Sequence, residues 1–205
     1  MGRAVVARLE RDGFTVLAAG RRDGDVARPE EARALVERCA REHGGLDVVV
    51  NAAADGFSPK PVEELTEADW EAAFGAVAKG SFFVTQAAVP YLRRSEDGVV
   101  VMIEDVASFQ PWPSFAAHCA AKAAQAMLTR VLAKALGPAI RVCGVAPGTV
   151  ATRPELAERR AAETLHGRIG APEDVADAVA YLVRARFVTG STIFVDGGRL
   201  IASPR

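Results

Sequence analysis

Three polar residues in the middle of the chain, Asp105, His118 and Lys122, have types and spacing that suit acid/base chemistry. His118 and Lys122 are four residues apart, so on a helix they share one face and can contact the same ligand. Histidine has an unperturbed pKa of about 6.5 and exchanges protons near neutral pH. The set therefore predicts a site that moves a proton to or from a bound small molecule.

The surrounding segments predict how these residues are brought together. Val99 to Ile103 is an unbroken apolar run after Asp97-Gly98, which is typical of a buried parallel strand. Apolar residues then recur at helical spacing over residues 113–136. Asp105 would follow the carboxyl end of the strand, and the two bases would lie on the next helix. Open α/β sheets bind their ligands at this edge.

Strand-like and helix-like segments alternate along the rest of the chain. Apolar stretches predict strands at 14–19, 46–50, 140–145 and 192–195, separated by helices that include 29–43, 66–94 and 172–184. This alternation predicts a Rossmann-like, doubly wound α/β fold, in which helices cover both faces of a parallel sheet. No linker or change in composition divides residues 1–205, so we expect a single domain.

The composition excludes several classes of function. The 205 residues carry a net charge of −1 with both signs scattered, so no face for nucleic acid or an anionic membrane is expected. No apolar run approaches membrane-spanning length. The three cysteines have no framework spacing, which favours a reducing, cytoplasmic setting. Cys39 and His43 lie one helical turn apart without further ligands, so no metal site is expected.

Four segments resemble the short-chain dehydrogenase/reductase family. DVVVNAA, residues 47–53, is similar to the family's LDVLVNNAG strand ending. HCAAKAA, residues 118–124, matches the family's YxxxK helix except at its first residue. RVCGVAPGTV, residues 141–150, resembles the RVNxVxPG segment, and VTGSTIFVDGG, residues 188–198, resembles the closing strand. Because the four occur in the family's order, the chain is identified as a member of the family.

The resemblance implies an oxidoreductase with a nicotinamide cofactor and a small-molecule substrate. It assigns proton transfer to position 118, the nicotinamide ribose to Lys122, and substrate orientation to Asp105. It implies cofactor contacts for Gly2, Arg21, Arg22, Asp25, Val26, Asn51, Ala52, Ala53, Lys122, Pro147, Gly148, Thr149 and Val150. Arginine at position 21 is the residue type that pairs with a 2′-phosphate, so NADP is favoured over NAD. Family members assemble through their long helices, so a homodimer or homotetramer is expected.

The sequence departs from the family at its start. The strand and glycine-rich turn that hold the pyrophosphate are missing, and Met1 to Ala4 resembles only the end of that turn, with Gly2 as its last glycine. We expect the natural protein to begin about ten to fifteen residues upstream, which is enough for one strand and a turn; the alternative is a real truncation with a rebuilt sheet. Without these residues, cofactor binding is expected to be impaired.

Two further departures concern the reaction itself. Val77 occupies the position of the family's active-site asparagine, which supports a water relay, and His118 replaces the catalytic tyrosine. An imidazole is shorter than a phenol, so a bridging water is expected between His118 and a carbonyl oxygen.

The substrate and the reaction class stay open at this level. Asp105 stands thirteen residues before His118, which is similar to the pteridine-reductase-like branch and predicts a carbonyl or pterin-like substrate. Phe57 and Trp112 are the aromatic residues expected to contact it. Two alternatives remain: a non-redox acid/base enzyme, such as an isomerase or cyclase, and a non-catalytic subunit of a hetero-oligomer.

Overall fold

The computed structural model of the protein describes residues 1–54, 58–150 and 154–202. At its centre is a parallel sheet with the strand order β1-β2-β3-β4. The strands are β1 (Val48–Asn51), β2 (Gly98–Ile103), β3 (Ile140–Pro147) and β4 (Thr192–Val195). Because all of them run in the same direction, their carboxyl ends meet at one edge of the sheet, where ligands bind in open α/β folds.

The helices of the described residues lie before β1 and between the successive strands. They are α1 (Gly2–Arg11), α2 (Pro29–His43), α3 (Glu67–Phe74), α4 (Gly80–Leu92), α5 (Ala116–Leu136), α6 (Ala157–Ala162) and α7 (Pro172–Arg184). α2 begins at a proline and is followed by Gly44, whose φ of 76° is the left-handed conformation that glycine adopts easily.

Both faces of the sheet are covered by helices. On one face, α1 and α7 pack together and bury Val5, Leu9 and Val179 against the strands. On the other face, α2, α4 and α5 contribute side chains such as Leu92 and Leu132. Every residue of β2 and β3 is buried, which explains why these strands are nearly continuous apolar runs in the sequence. The structure therefore confirms the Rossmann-like α/β fold.

The long helix expected at 66–94 contains an irregularity. α3 starts at a capping box formed by Thr66 and Asp69, and the π-helical segment Gly75–Lys79 joins it to α4. Among the described residues, Glu67–Leu92 is the one helical run long and apolar enough to cross a bilayer, a length that the sequence analysis did not recognise. In this fold α4 packs against α2 and the sheet, as a core helix does.

The expected strand at 14–19 is wrong. Phe14–Gly20 is irregular, and β1 lies at the edge of the sheet with β2 as its ladder partner. A cavity of about 1250 Å³ is lined by both segments. Neighbouring strands form a ladder only when they approach to about 4.8 Å, and residues 14–20 and β1 line the cavity instead of pairing. An apolar sequence alone does not make a strand when its partner is out of reach.

Candidate active site

Asp105 lies two residues beyond the end of β2. Its Oδ1 accepts a 2.8 Å hydrogen bond from the backbone N–H of Ala107, which opens the 3₁₀ turn Val106–Ser108. Aspartate commonly stabilises a turn through such a bond. The bond fixes one carboxylate oxygen and leaves Oδ2 directed toward α5.

His118, in the first turn of α5, is the neighbour of that second oxygen. Its Nε2 lies 3.4 Å from Asp105 Oδ2. Only 6% of the His118 side chain is exposed, against 21% for Asp105, so the carboxylate is the more accessible partner. A carboxylate at this position accepts a hydrogen from Nε2 and orients the ring. The structure thus brings together two of the three residues predicted to move a proton.

Lys122 lies one turn further along α5. Its Nζ donates a 2.6 Å hydrogen bond to the Ile103 carbonyl at the end of β2 and a 3.0 Å bond to Gln125 Oε1. Burial lowers the pKa of Lys122 from 10.5 to about 8, while Asp105 and Glu104 oppose the shift. These bonds use two of the three ammonium hydrogens, and the third suits a ribose hydroxyl.

Polar contacts continue from Lys122 toward the π-helical segment. Gln125 donates from Nε2 to Ser81 Oγ at 2.7 Å. Val77 lies in the π-helical segment, is 1% exposed, and packs with Ala117 and Ala121 of α5. An isopropyl group offers no hydrogen bond, so the water relay that the family builds from this position is not formed by Val77 itself.

Glu104 is a buried polar residue that the sequence analysis missed. Its side chain, 2% exposed, accepts hydrogen bonds from Thr129 Oγ1 at 2.6 Å and Thr192 Oγ1 at 2.9 Å. Gly144 makes room for it, because a side chain there would overlap Glu104 Oε1. Burial raises the pKa of Glu104, and the two hydroxyls and Lys122 oppose the shift. The available signal was a carboxylate directly after the apolar run of a central strand.

The predicted nicotinamide-side segment, Pro147 to Val150, begins at the end of β3. The Gly148 N–H donates to the Val195 carbonyl at 3.0 Å, and a side chain at Gly148 would lie 2.9 Å from the Asp196 backbone. Thr149 Oγ1 accepts a 2.8 Å hydrogen bond from Arg199. Val150 is buried in the core. Within this segment, the polar side chain available to a ligand is that of Thr149.

Arg199 was also missed by the sequence analysis. It follows Gly197-Gly198, just after β4, and its guanidinium lies over the ring of Trp112 at 5.0 Å from the ring centre. It forms a 2.8 Å ion pair with Glu163. A cation therefore covers one face of the aromatic residue that was predicted to contact substrate. The family motifs contain no signal for this arginine.

Most of the residues predicted to contact the cofactor away from its nicotinamide end line the cavity beside β1. Its lining includes Gly2, Arg21, Asp25, Val26, Asn51, Ala52 and Ala53. Arg22 is exposed and lies outside this lining, and the Asn51 amide donates a 3.1 Å hydrogen bond to Thr85 inside the protein. Phe57 lies outside the described residues.

These residues fit a nicotinamide dinucleotide in part. Lys122 and Thr149 present polar atoms at the carboxyl edge, which suits the nicotinamide end. α1 begins at Gly2 beside the cavity, and the N-terminus of a helix binds phosphate. A glycine-rich backbone cradle is not found among the described residues, nor is a cluster of three or more His, Cys, Asp or Glu side chains that could hold a metal ion. Lys122 and Thr149 therefore suit the nicotinamide end, and within the described residues the N-terminus of α1 suits a phosphate group.

Asp105, His118 and Lys122 lie at the carboxyl edge of a Rossmann-like sheet, and their side chains form an arrangement capable of acid/base chemistry. The family profile described as enoyl-(acyl carrier protein) reductase matches residues 1–199. The putative ketoacyl reductase 2 of the granaticin polyketide synthase from Streptomyces violaceoruber is 33% identical over 226 residues, covering 97% of this chain and 91% of that protein. Human dehydrogenase/reductase SDR family member 4 is 31% identical over 231 residues, covering 97% and 83%.

The solved structures agree with the sequence relatives. Ligand-free aldohexose dehydrogenase from Thermoplasma acidophilum superposes with a TM-score of 0.92 at 27% identity, covering 100% of this chain and 91% of that one. The chain belongs to the short-chain dehydrogenase/reductase family and is an oxidoreductase of this type, as the four motifs predicted. Membership implies a nicotinamide cofactor.

Proposed function

We propose that the protein reduces the carbonyl group of a small molecule with NADPH and that His118 supplies the proton. The observation that carries this proposal is the 3.4 Å approach of His118 Nε2 to Asp105 Oδ2 at the carboxyl edge, with Lys122 one turn away on the same helix. An imidazole exchanges protons readily near neutral pH, which suits it to replace a phenol as general acid.

Each of the three residues has a separate task. When bound, the reduced nicotinamide supplies a hydride to the carbonyl carbon. In its protonated form His118 has two ring N–H groups: Asp105 accepts from Nε2 and orients the ring, and the other N–H gives its proton to the carbonyl oxygen, directly or through one water. The neutral ring that results takes up a new proton from solvent. Lys122 holds the nicotinamide ribose, and its bond to the Ile103 carbonyl fixes the ammonium at the end of β2.

Arginine beside the cavity supports NADP over NAD. Arg21 lines the cavity and Arg22 follows it on the exposed surface. A guanidinium binds a phosphate with two parallel hydrogen bonds, and such a charge-assisted pair favours the cofactor that carries a 2′-phosphate. Arg21→Gln should therefore weaken binding of NADPH more than binding of NADH.

The substrate proposal rests on Asp105 and on the relatives. Two matched proteins are named as reductases of ketoacyl or 3-oxoacyl groups, which are carbonyl substrates. A pterin-like ring, predicted from the placement of Asp105, stays a prediction, and Trp112 is the described aromatic residue that it would contact. Comparing reduction of a β-ketoacyl thioester with that of dihydrobiopterin would separate the two substrate classes.

Cofactor titration tests the proposed function most directly. NADPH and NADP⁺ are added to the purified protein while heat or tryptophan fluorescence is recorded, and carbonyl reduction is followed by loss of NADPH absorbance. Micromolar binding with turnover of a carbonyl substrate supports the reductase. A folded protein that binds neither nucleotide refutes it.

The non-redox alternative is favoured by one observation. Val77, buried against Ala117 and Ala121, offers no hydrogen bond at the position from which the family's asparagine supports a proton relay. In that case Asp105 and His118 would exchange protons with a substrate without hydride transfer, as in an isomerisation. Acid/base turnover that is unaffected by NADPH and lost in His118→Ala would establish this second candidate.

We also propose a homodimer or homotetramer in the cytoplasm. Met127 and Val131 of α5 are 53% and 52% exposed, and at four residues apart they form an apolar strip on a long helix. Covering this strip against a second copy would remove apolar surface from water. Sedimentation of the wild type and of Met127→Glu distinguishes an assembly from a monomer, and a heteromeric, non-catalytic role would appear as a monomer without activity.

A further inference from the structure

We propose that Arg199 binds a carboxylate of the substrate, and that Glu163 takes the place of this carboxylate when substrate is absent. The proposal rests on the proposed function, because it names the class of substrate for the same site. It assigns a binding role to a residue that none of the family motifs includes.

The surroundings of Arg199 place it at the reaction site. Its side chain is 10% exposed and lies between Thr149, which accepts a 2.8 Å hydrogen bond, and the ring of Trp112. Thr149 belongs to the predicted nicotinamide side and Trp112 to the predicted substrate side. Asp105 is close enough to influence the charge of Arg199. The guanidinium thus lies where cofactor and substrate would meet.

The backbone before Arg199 holds it in a defined direction. Gly197 and Gly198 have φ values of 62° and 78°, which side-chain-bearing residues rarely adopt. The Asp196 carboxylate accepts hydrogen bonds from the backbone N–H groups of Gly198 at 2.9 Å and Leu200 at 2.8 Å. Because these hydrogen bonds fix the turn, the Arg199 side chain loses little conformational freedom when it binds a ligand.

Three arginines share the carboxylate of Glu163, and Asp105 and Asp196 also favour the charged form of Arg199. One carboxylate, Glu163, accepts from Arg160 at 2.9 Å with both oxygens, pairs with Arg199 at 2.8 Å and has Arg159 at 3.9 Å. Burial lowers the pKa of Arg199, and Glu163 opposes this shift more than any other group. A buried guanidinium requires an anion, and its planar fork matches a carboxylate.

A substrate carboxylate can take the place of Glu163 on Arg199 while Glu163 stays bound to Arg160. It lies just after α6 and is 29% exposed, whereas Arg199 is nearly buried. If a substrate carboxylate took the Arg199 side of the pair, Glu163 would keep its bidentate contact with Arg160. The exchange therefore substitutes one carboxylate for another and leaves no charge unpaired.

A binding experiment that needs no cofactor tests this inference. In a Trp70→Phe background, the fluorescence of Trp112 reports on the guanidinium above its ring. Levulinate is the anionic probe and methyl levulinate is the uncharged match. We expect levulinate to change the fluorescence with saturation, the ester to have little effect, and Arg199→Met to weaken levulinate about 10- to 100-fold, as loss of a charged hydrogen bond does.

Variants separate a binding site from a structural latch. Glu163→Gln should tighten levulinate binding, because the competing carboxylate is gone. If the Glu163–Arg199 ion pair is only structural, the variant should be less stable and should bind levulinate no more tightly than the wild type. Arg168→Met is the matched control, since Arg168 pairs with Asp174 and is 52% exposed. Unchanged levulinate affinity in Arg199→Met, or unchanged or weaker affinity in Glu163→Gln, overturns the proposal. If Arg199→Met does not fold, Glu163→Gln decides alone.

A reduction assay keeps this inference apart from the proposed function. With NADPH present, wild-type enzyme should prefer levulinate to its methyl ester, and Arg199→Met should abolish the preference. If wild type and Arg199→Met show the same ratio of levulinate turnover to methyl levulinate turnover, the carboxylate site is refuted and the proposed reductase activity is not. Levulinate binding that depends on Arg199 but brings no reduction of any carbonyl supports the site and refutes the reductase.

Discussion

His118 Nε2 and Asp105 Oδ2 lie 3.4 Å apart although the residues are separated by thirteen positions in the sequence. One residue follows β2 and the other lies in the first turn of α5, so the packing of that helix against the sheet sets the distance. The proposed proton transfer depends on this pair.

Removing either member of the pair should reduce catalysis. His118→Ala should lower kcat for carbonyl reduction about 100- to 10,000-fold, the usual contribution of a positioned proton donor, while leaving NADPH affinity within a few fold. Cys119→Ser is the matched control on the same turn. His118→Tyr restores the residue that the family uses at this position. Carbonyl reduction faster than in the wild type indicates that the histidine weakens the reductase, and slower reduction indicates that the site is adapted to histidine.

Activity should fall above pH 8 because of Lys122. Burial lowers its pKa to about 8, so above this pH the amine loses the charge that binds the ribose. We expect kcat/KM for NADPH, measured with the carbonyl substrate saturating, to decline with a midpoint near pH 8. Activity that stays constant to pH 10 would show that the charge of Lys122 is not needed.

The same shift predicts an effect on stability. The pKa of Lys122 is about 8 in the folded protein against 10.5 for an ordinary lysine, so unfolding takes up a proton between these values and the free energy of unfolding rises with pH across this window. The full difference corresponds to about 3 kcal/mol. Urea unfolding at pH 7.5 and 10 should show the rise in wild type and lose it in Lys122→Met.

Glu104 should act in the opposite direction. Because burial raises its pKa above 4.5, the folded protein holds this proton more tightly than the unfolded chain, and stability is lost as pH rises through the folded-state pKa. Glu104→Gln removes that loss and should raise the urea midpoint at pH 8 more than at pH 4.5. A variant that is destabilised equally at both pH values would contradict the shift.

Gly144 should tolerate a side chain only when Glu104 is shortened. A Cβ at position 144 would overlap the Glu104 carboxylate, so Gly144→Ala should cost about 1 to 3 kcal/mol of unfolding free energy through overpacking. Gly144→Ala combined with Glu104→Ser should recover most of it. Additive losses in the double variant would mean that the two residues do not touch.

Much of the fold could be predicted because its signals are local. The apolar run of β2 and the helical spacing of α5 identify their elements, since both depend on neighbours a few residues away. Phe14–Gly20 has the composition of a strand, but strand formation needs a partner at ladder distance, and only the packing of α1 and the sheet decides whether one is there.

The candidate site shows the same division between features with local sequence signals and features that depend on long-range packing. The family, the sheet edge and the candidates Asp105, His118 and Lys122 could be predicted from sequence, because they depend on motifs of fixed spacing. The enclosure of Glu104 by Thr129 and Thr192, and the position of Arg199 over Trp112, could be seen only in the folded structure. Those contacts join segments far apart in the chain, and their distances follow from how whole helices and strands pack, which no short pattern records.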